Sequence, residues 1–302
     1  MSGHADSTRA IFFALGANFA ITVAKGVAAF VSGSGAMLAE TVHSLADCGN
    51  QGLLLLGIKQ ARKPSSPEHP LGYGKAVYFW SFLVALMLFT LGGMFSLYEG
   101  IHKLSHPEPI RQWWLAVGVL AFSIVAEAVS MRACIVEVNK ARGSQSFRQW
   151  FRESRQAELI VIFGEDLAAL SGLSLALIAV VLAVVTGNPL WDALGTVAIG
   201  VLLIVVAVFV AIEVKAMLIG QSADPRVTAD MKAFLEARPE IARVFHIITL
   251  QLGGDVMVAV KVQVAGAHSG AELVASINVV EKAFREHYPQ VRWSFVEPDD
   301  KD

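Results

Sequence analysis

The sequence predicts an α-helical membrane protein with six transmembrane helices, followed by a small cytoplasmic α+β domain. Two features of the 302 residues point there. Hydrophobic residues make up 55% of the chain and charged residues only 17%, whereas a soluble protein of this size usually carries about a quarter charged residues. The apolar residues are also unevenly placed: the long runs end near residue 221, and 222–302 has the mixed composition of a soluble domain. The expected division is therefore 1–221 in lipid and 222–302 in water.

A helix needs about 20 residues to cross the hydrocarbon core. Six segments meet that length: 10–32, 36–60, 76–101, 112–138, 157–185 and 190–218. The breaks carry turn-forming punctuation, including "SGSG", "KPSSPEHPLGYG", "SHPEPIRQ" and "TGNP". The polar "MSGHADSTRA" leads into a run too long for a signal-peptide core, so the first span is expected to stay in the membrane. Orientation follows from basic residues in the short loops. The 2–3 connection has Lys59, Arg62, Lys63 and Lys75, and the 4–5 connection has Lys140, Arg142, Arg148, Arg152 and Arg155. On the other side the 1–2 and 5–6 turns have no Lys or Arg, and the 3–4 loop has only Lys103 and Arg111. Both termini are placed in the cytoplasm, and a bacterial cytoplasmic membrane is the expected location.

Beyond residue 222, "RVTADMKAFLEARPE" and "SGAELVASINVVEKAFREHY" read as amphipathic helices. "RVFHIITLQL" and "DVMVAVKVQV" read as strands joined at Gly253-Gly254-Asp255, and "QVRWSFVE" as a third strand. The order αββαβ predicts a two-layer, ferredoxin-like domain with its helices on one face of a sheet.

Several function classes fall away. A net charge of −2 gives no general attraction to nucleic acid. Cys48 and Cys134 lie in apolar segments without CxxC spacing and read as packing residues. No GxxxxGK[ST] loop or Gly-rich dinucleotide fingerprint is present, which argues against an ATP-driven pump, and no enzyme or resident cofactor is expected.

What remains is a set of titratable side chains inside the spans. In "AETVHSLADCGN" of the second span, Glu40, His43, Asp47 and Asn50/Gln51 lie on one side of a helix. "VIFGEDLAALSG" puts Glu165 and Asp166 about two turns into the fifth span, and Glu127 lies near the middle of the fourth. An acidic group at the centre of a spanning helix costs roughly 2.5–3.5 kcal/mol on insertion scales. Several together imply a ligand, a proton or a partner. Carboxylate oxygens with one imidazole nitrogen suit a borderline divalent metal, zinc foremost; imidazole argues against magnesium and calcium.

These residues also carry a resemblance. "HSLAD" in the second span, "HPLGYGK" before the third, "EDLAALSG" in the fifth and the αββαβ tail, in that order, resemble the cation diffusion facilitator family, in the branch like zinc transporter nine. The resemblance implies a homodimeric exporter exchanging cytoplasmic Zn²⁺, or a related divalent ion, for protons. It implies a metal site in which His43 and Asp47 supply the second-span pair and Asp166 one fifth-span ligand. Four residues before Asp166 the family often has histidine or aspartate; this chain has Ile162. The fourth position then falls to Glu165 (if the helix unwinds near Gly164), to Glu127, to Glu40 or to water. Ile162 also leaves open a membrane metal sensor that binds ions without moving them, beside an exporter of Mn²⁺, Co²⁺, Fe²⁺ or Cd²⁺.

Accessory metal sites of the family look degraded. His69 is accompanied by Ser66 and Tyr73, and His246 by Lys261 and Val296, so one dominant site per protomer is expected. Lys25 is expected either to snorkel to the interface or to pair with an acid. Asp192 reads as a charge at the start of its own helix, Asn18 and Ser81 as path-lining residues or as polar glue between helices, and Trp113-Trp114 as an interfacial anchor.

Overall fold

The computed structural model describes residues 3–301, and the side chains from residue 18 onward. The chain divides into two compact units. Of the described residues, one contains 3–56, 80–144 and 158–213; the other contains 57–79, 145–157 and 214–301.

The first unit is helical. Its elements belong to α1 (Gly3–Ser32), α2 (Gly35–Ala61), α3 (Ala76–Ser105), α4 (Trp113–Arg142), α6 (Ala157–Thr186) and α7 (Leu190–Gly220). Four of them, α3, α4, α6 and α7, are long and apolar enough to cross a membrane. The described part of α1, Asn18–Ser32, is a shorter apolar helix. α2 has the length, at 27 residues, but Glu40, His43, Asp47, Asn50 and Gln51 dilute its apolar character. Met37, Leu88, Leu120, Leu173, Ile199 and Leu203 meet in a common core. Large apolar side chains such as Phe30, Phe122 and Val185 instead point outward, as lipid-facing residues do. α3 contains a π-helical turn, Leu88–Met94, at Gly92-Gly93.

The end of α2, the start of α3, the residues between them and the end of α7 belong to the second unit, with a short helix α5 (Phe147–Glu153) that sequence patterning did not show. At seven residues α5 is too brief for a periodic signal. Its start is set by Ser146, whose hydroxyl accepts the Gln149 N–H, and Trp150 is buried.

The remainder of the second unit runs α8 (Pro225–Glu236), β1 (Ile241–Leu252), β2 (Asp255–Val264), α9 (Gly270–His287) and β3 (Val291–Pro298). Strand order is β1-β2-β3, antiparallel then parallel. Val256, Val258, Val260 and Val262 are all buried, so alternate residues of β2 face one core. Met231 and Leu235 of α8 and Val280 and Phe284 of α9 close that core. The β1–β2 turn is two residues, with Gly253 at φ 68° as such a hairpin requires.

The "HPLGYGK" loop approaches this hairpin. Tyr78 Oη accepts the Gly253 N–H at 2.9 Å. A Cβ on Gly74 would collide with the Leu252 carbonyl, so glycine permits the backbones to touch there.

Candidate metal site

α2 brings Glu40, His43 and Asn50 to full burial, with the Asp47 side chain 19% exposed. His43 Nε2 stands 3.6 Å from Asp47 Oδ2, beyond hydrogen-bond length. Both imidazole nitrogens of His43, Asp47 Oδ1, Asn50 Oδ1 and Glu40 Oε1 are buried without a hydrogen-bond partner. Each such atom costs about 1–3 kcal/mol when left unsatisfied. Native structures rarely accumulate them, and here they form a row on one helix.

α6 faces α2 through Glu165. Its carboxylate accepts the Asn50 amide N–H at 2.6 Å, linking the two helices. Asp166, one residue on and about 100° further around the helix, turns to α4, where Ser130 Oγ donates to its two oxygens at 3.3 and 3.4 Å. Glu127 lies one turn before Ser130 and is within electrostatic reach of His43, Asp47 and Asp166. Gly92 in the π turn of α3 is placed so that a Cβ there would sit 3.8 Å from His43 Nδ1. Irregular turns of this kind recur at functional sites.

The expected residues thus share one region but not one coordination sphere. Among the described residues, no three His, Cys, Asp or Glu side chains converge closely enough to hold a metal ion. His43 and Asp47 form one half, Asp166 and Ser130 another, and Glu165 with Asn50 bridges α6 to α2.

The fold also places four residues that the sequence singled out. α6 runs unbroken through Gly164, so no unwinding brings Glu165 round; it reaches α2 from a regular helix. Ile162 is 39% exposed, on the outer surface of α6. Lys25 does not snorkel: fully buried, it pairs with Glu40 at 3.4 Å and donates to Ser44 Oγ at 2.6 Å. Asp192 lies in the first turn of its own helix, as expected, and serves a second helix as well. Its oxygens accept Ser34 Oγ–H at 2.5 Å and the N–H groups of Gly35 and Ala36 at 2.7 and 3.4 Å, so a carboxylate on α7 caps α2. Lys103 Nζ stands 3.7 Å from Asp192 and also donates to the Gly33 carbonyl.

Ser130 and the Asn50–Glu165 bond escaped sequence reasoning. A serine three residues after Glu127 was the available signal, since i and i+3 share a helix face. At the accessory positions, His69 stacks on Tyr73 at 4.3 Å. Lys261, the cross-strand neighbour of His246, pairs with Asp299 at 2.7 Å, and Val296 lies beside Val260 against the core.

Comparison with known proteins accords with this architecture. The family described as "Cation efflux transmembrane domain" matches residues 11–219. The mouse "Proton-coupled zinc antiporter SLC30A9, mitochondrial" is 34% identical over 232 residues, 76% of this chain and 41% of the relative. Its Xenopus laevis counterpart is 35% identical over 224 residues, 74% of this chain and 40% of the relative. "Metal tolerance protein C4" of Arabidopsis thaliana is 32% identical over 231 residues, 76% of this chain and 50% of the relative. The chain spans two fifths to one half of the length of these relatives. On the match over its helical region and these identities, the chain belongs to the cation diffusion facilitator family, in its zinc transporter nine-like branch.

Proposed function

We propose that this protein is a proton-coupled antiporter that exports Zn²⁺, or a related divalent cation, from the cytoplasm. α1, α2, α3, α4, α6 and α7 are then six membrane spans with both termini cytoplasmic, and residues 222–302 form a ferredoxin-like domain that dimerises. His43, Asp47 and Asp166 are the metal-binding residues, with Glu165 and Glu127 completing the set as the site closes. The observation that carries this reading is the row of buried, unpartnered nitrogen and oxygen atoms on α2. A metal ligand must lose its proton, so metal uptake releases protons and proton return weakens the metal.

A bacterial cytoplasmic membrane remains the proposed location; the vertebrate relatives are named as mitochondrial. Both are proton-energised membranes, which antiport needs. A site with one imidazole selects zinc less strongly than one with two, and Mn²⁺, Co²⁺, Fe²⁺ or Cd²⁺ is the second reading. Competition uptake into proteoliposomes with these ions separates the two. Zinc as the preferred cargo is expected, and uptake of another ion undiminished by excess zinc would replace it.

A further inference from the structure

The Lys25–Glu40 pair lies off the proposed metal set yet next to it. Glu40 precedes His43 by three residues, so it stands one turn of α2 nearer the α1–α2 turn. Both charged side chains are fully buried. Lys25 approaches Glu40 Oε2 at 3.4 Å and takes its shorter bond, 2.6 Å, from Ser44 Oγ as acceptor. Glu40 Oε1 has no hydrogen-bond partner. It presses against α6 at Gly172, where a Cβ would collide with it.

A pair serving only to join helices would be expected to satisfy both carboxylate oxygens. Buried ion pairs seldom improve on apolar packing, and the penalty is greatest when an oxygen is left bare. This one keeps a carboxylate half-used, beside a glycine that leaves room for it, one turn from the proposed ligands.

We propose that Glu40 and Ser44 form a second station for the transported dication, and that the Lys25 ammonium is a tethered cation occupying that station until the ion displaces it. The inference rests on the function proposed above, and it adds a place and a chemistry to the ion's path. An oxygen-only set holds zinc less firmly than one with imidazole. The ion therefore passes from a tighter to a weaker site as it moves towards the α1–α2 turn, the extracytoplasmic end in the proposed topology. Lys25 refills the station behind it, which disfavours return. Its four-carbon stem allows the swing, and its point charge suits replacement by a metal ion.

The test uses the purified full-length protein, with Zn²⁺ alone as probe. Equilibrium dialysis is expected to give one bound zinc per protomer for the wild type and two for Lys25→Met. Lys25→Met/Glu40→Gln, which leaves no buried charge at the station, is expected to return to one with unchanged affinity. In proteoliposomes that double variant should turn over about tenfold more slowly than wild type. If Lys25→Met fails to fold, the double variant decides: a pair that merely joins helices predicts wild-type turnover, which overturns the proposal. A single zinc bound by folded Lys25→Met also overturns it. Absence of zinc flux in the wild type would remove the transport reading and leave the binding stoichiometries to judge the station.

Discussion

Asp192 shows how one side chain on a distant helix sets the position of the residues that bind. Three α2 N-terminal donors and one lysine converge on its two oxygens, and α2 carries His43 and Asp47. Asp192→Ala strands those donors where no other acceptor replaces it. Loss of a helix cap with a charged acceptor is expected to cost about 2 kcal/mol, read as a lowered thermal midpoint in detergent. An unshifted midpoint would show that water satisfies the α2 terminus. Ile162 supplies the opposite case. It occupies a position where the family often has a ligand, but its side chain points outward. Ile162→His is expected to change zinc affinity less than about threefold, in the range of surface substitutions; a large gain measured by calorimetry would place position 162 inside the site. Sequence reasoning named His43, Asp47, Glu127, Glu165 and Asp166 because buried charge is costly wherever it lies on a helix. It missed Ser130 and the second role of Asp192, because what a hydroxyl or a helix-terminal carboxylate does across a helix interface depends on the helix opposite.

The long helices were legible from length and apolarity, which the bilayer imposes irrespective of neighbours. The strands and two amphipathic helices of the C-terminal region were legible from period, and the observed β1–β2 turn falls at the anticipated glycines. The π turn in α3 and helix α5 were not, since each is about two turns long or less and depends on packing. The "HPLGYGK" loop is the element whose meaning changed most. Read by family likeness it held a lost metal site; in the fold its Gly74 backbone touches the β1–β2 hairpin. Gly74→Ala is expected to push the loop off, costing about 2 kcal/mol as overpacking does. Hydrogen exchange should then quicken at the Gly253 amide, which Tyr78 otherwise holds. Unchanged protection there would mean that the contact is dispensable.

At the end of β3 the Lys261 ammonium, with the Asp300 and Lys301 N–H groups, pulls the Asp299 carboxyl from 3.8 down to about 2. A depressed carboxyl stabilises the fold above its unfolded pKa, and that contribution is lost as pH falls through the folded value. Anchoring of the β3 end should thus persist at pH 5 and weaken between about pH 4 and 2. Lys261→Met should raise the Asp299 titration midpoint, as followed by NMR of its carboxyl carbon; an unmoved midpoint would assign the shift to the backbone donors alone.

For the whole molecule, the proposed metal site is divided between helices. His43 and Asp47 come from α2, Glu127 from α4, and Glu165 and Asp166 from α6, and no three of them converge in the described conformation. A transporter needs an arrangement that can be made and unmade, and a site shared by three helices changes its ligand distances whenever they shift. The Asn50–Glu165 bond joins two of them and would have to yield for Glu165 to reach a metal ion. Zinc movement and proton movement in one vesicle preparation test this account most directly. Purified protein in liposomes, with zinc outside and pH dyes on both sides, should drive zinc inward as protons leave. Asp47→Ala should keep its circular dichroism spectrum and lose both fluxes. Zinc uptake without a pH change, or equal fluxes in that variant, would contradict it.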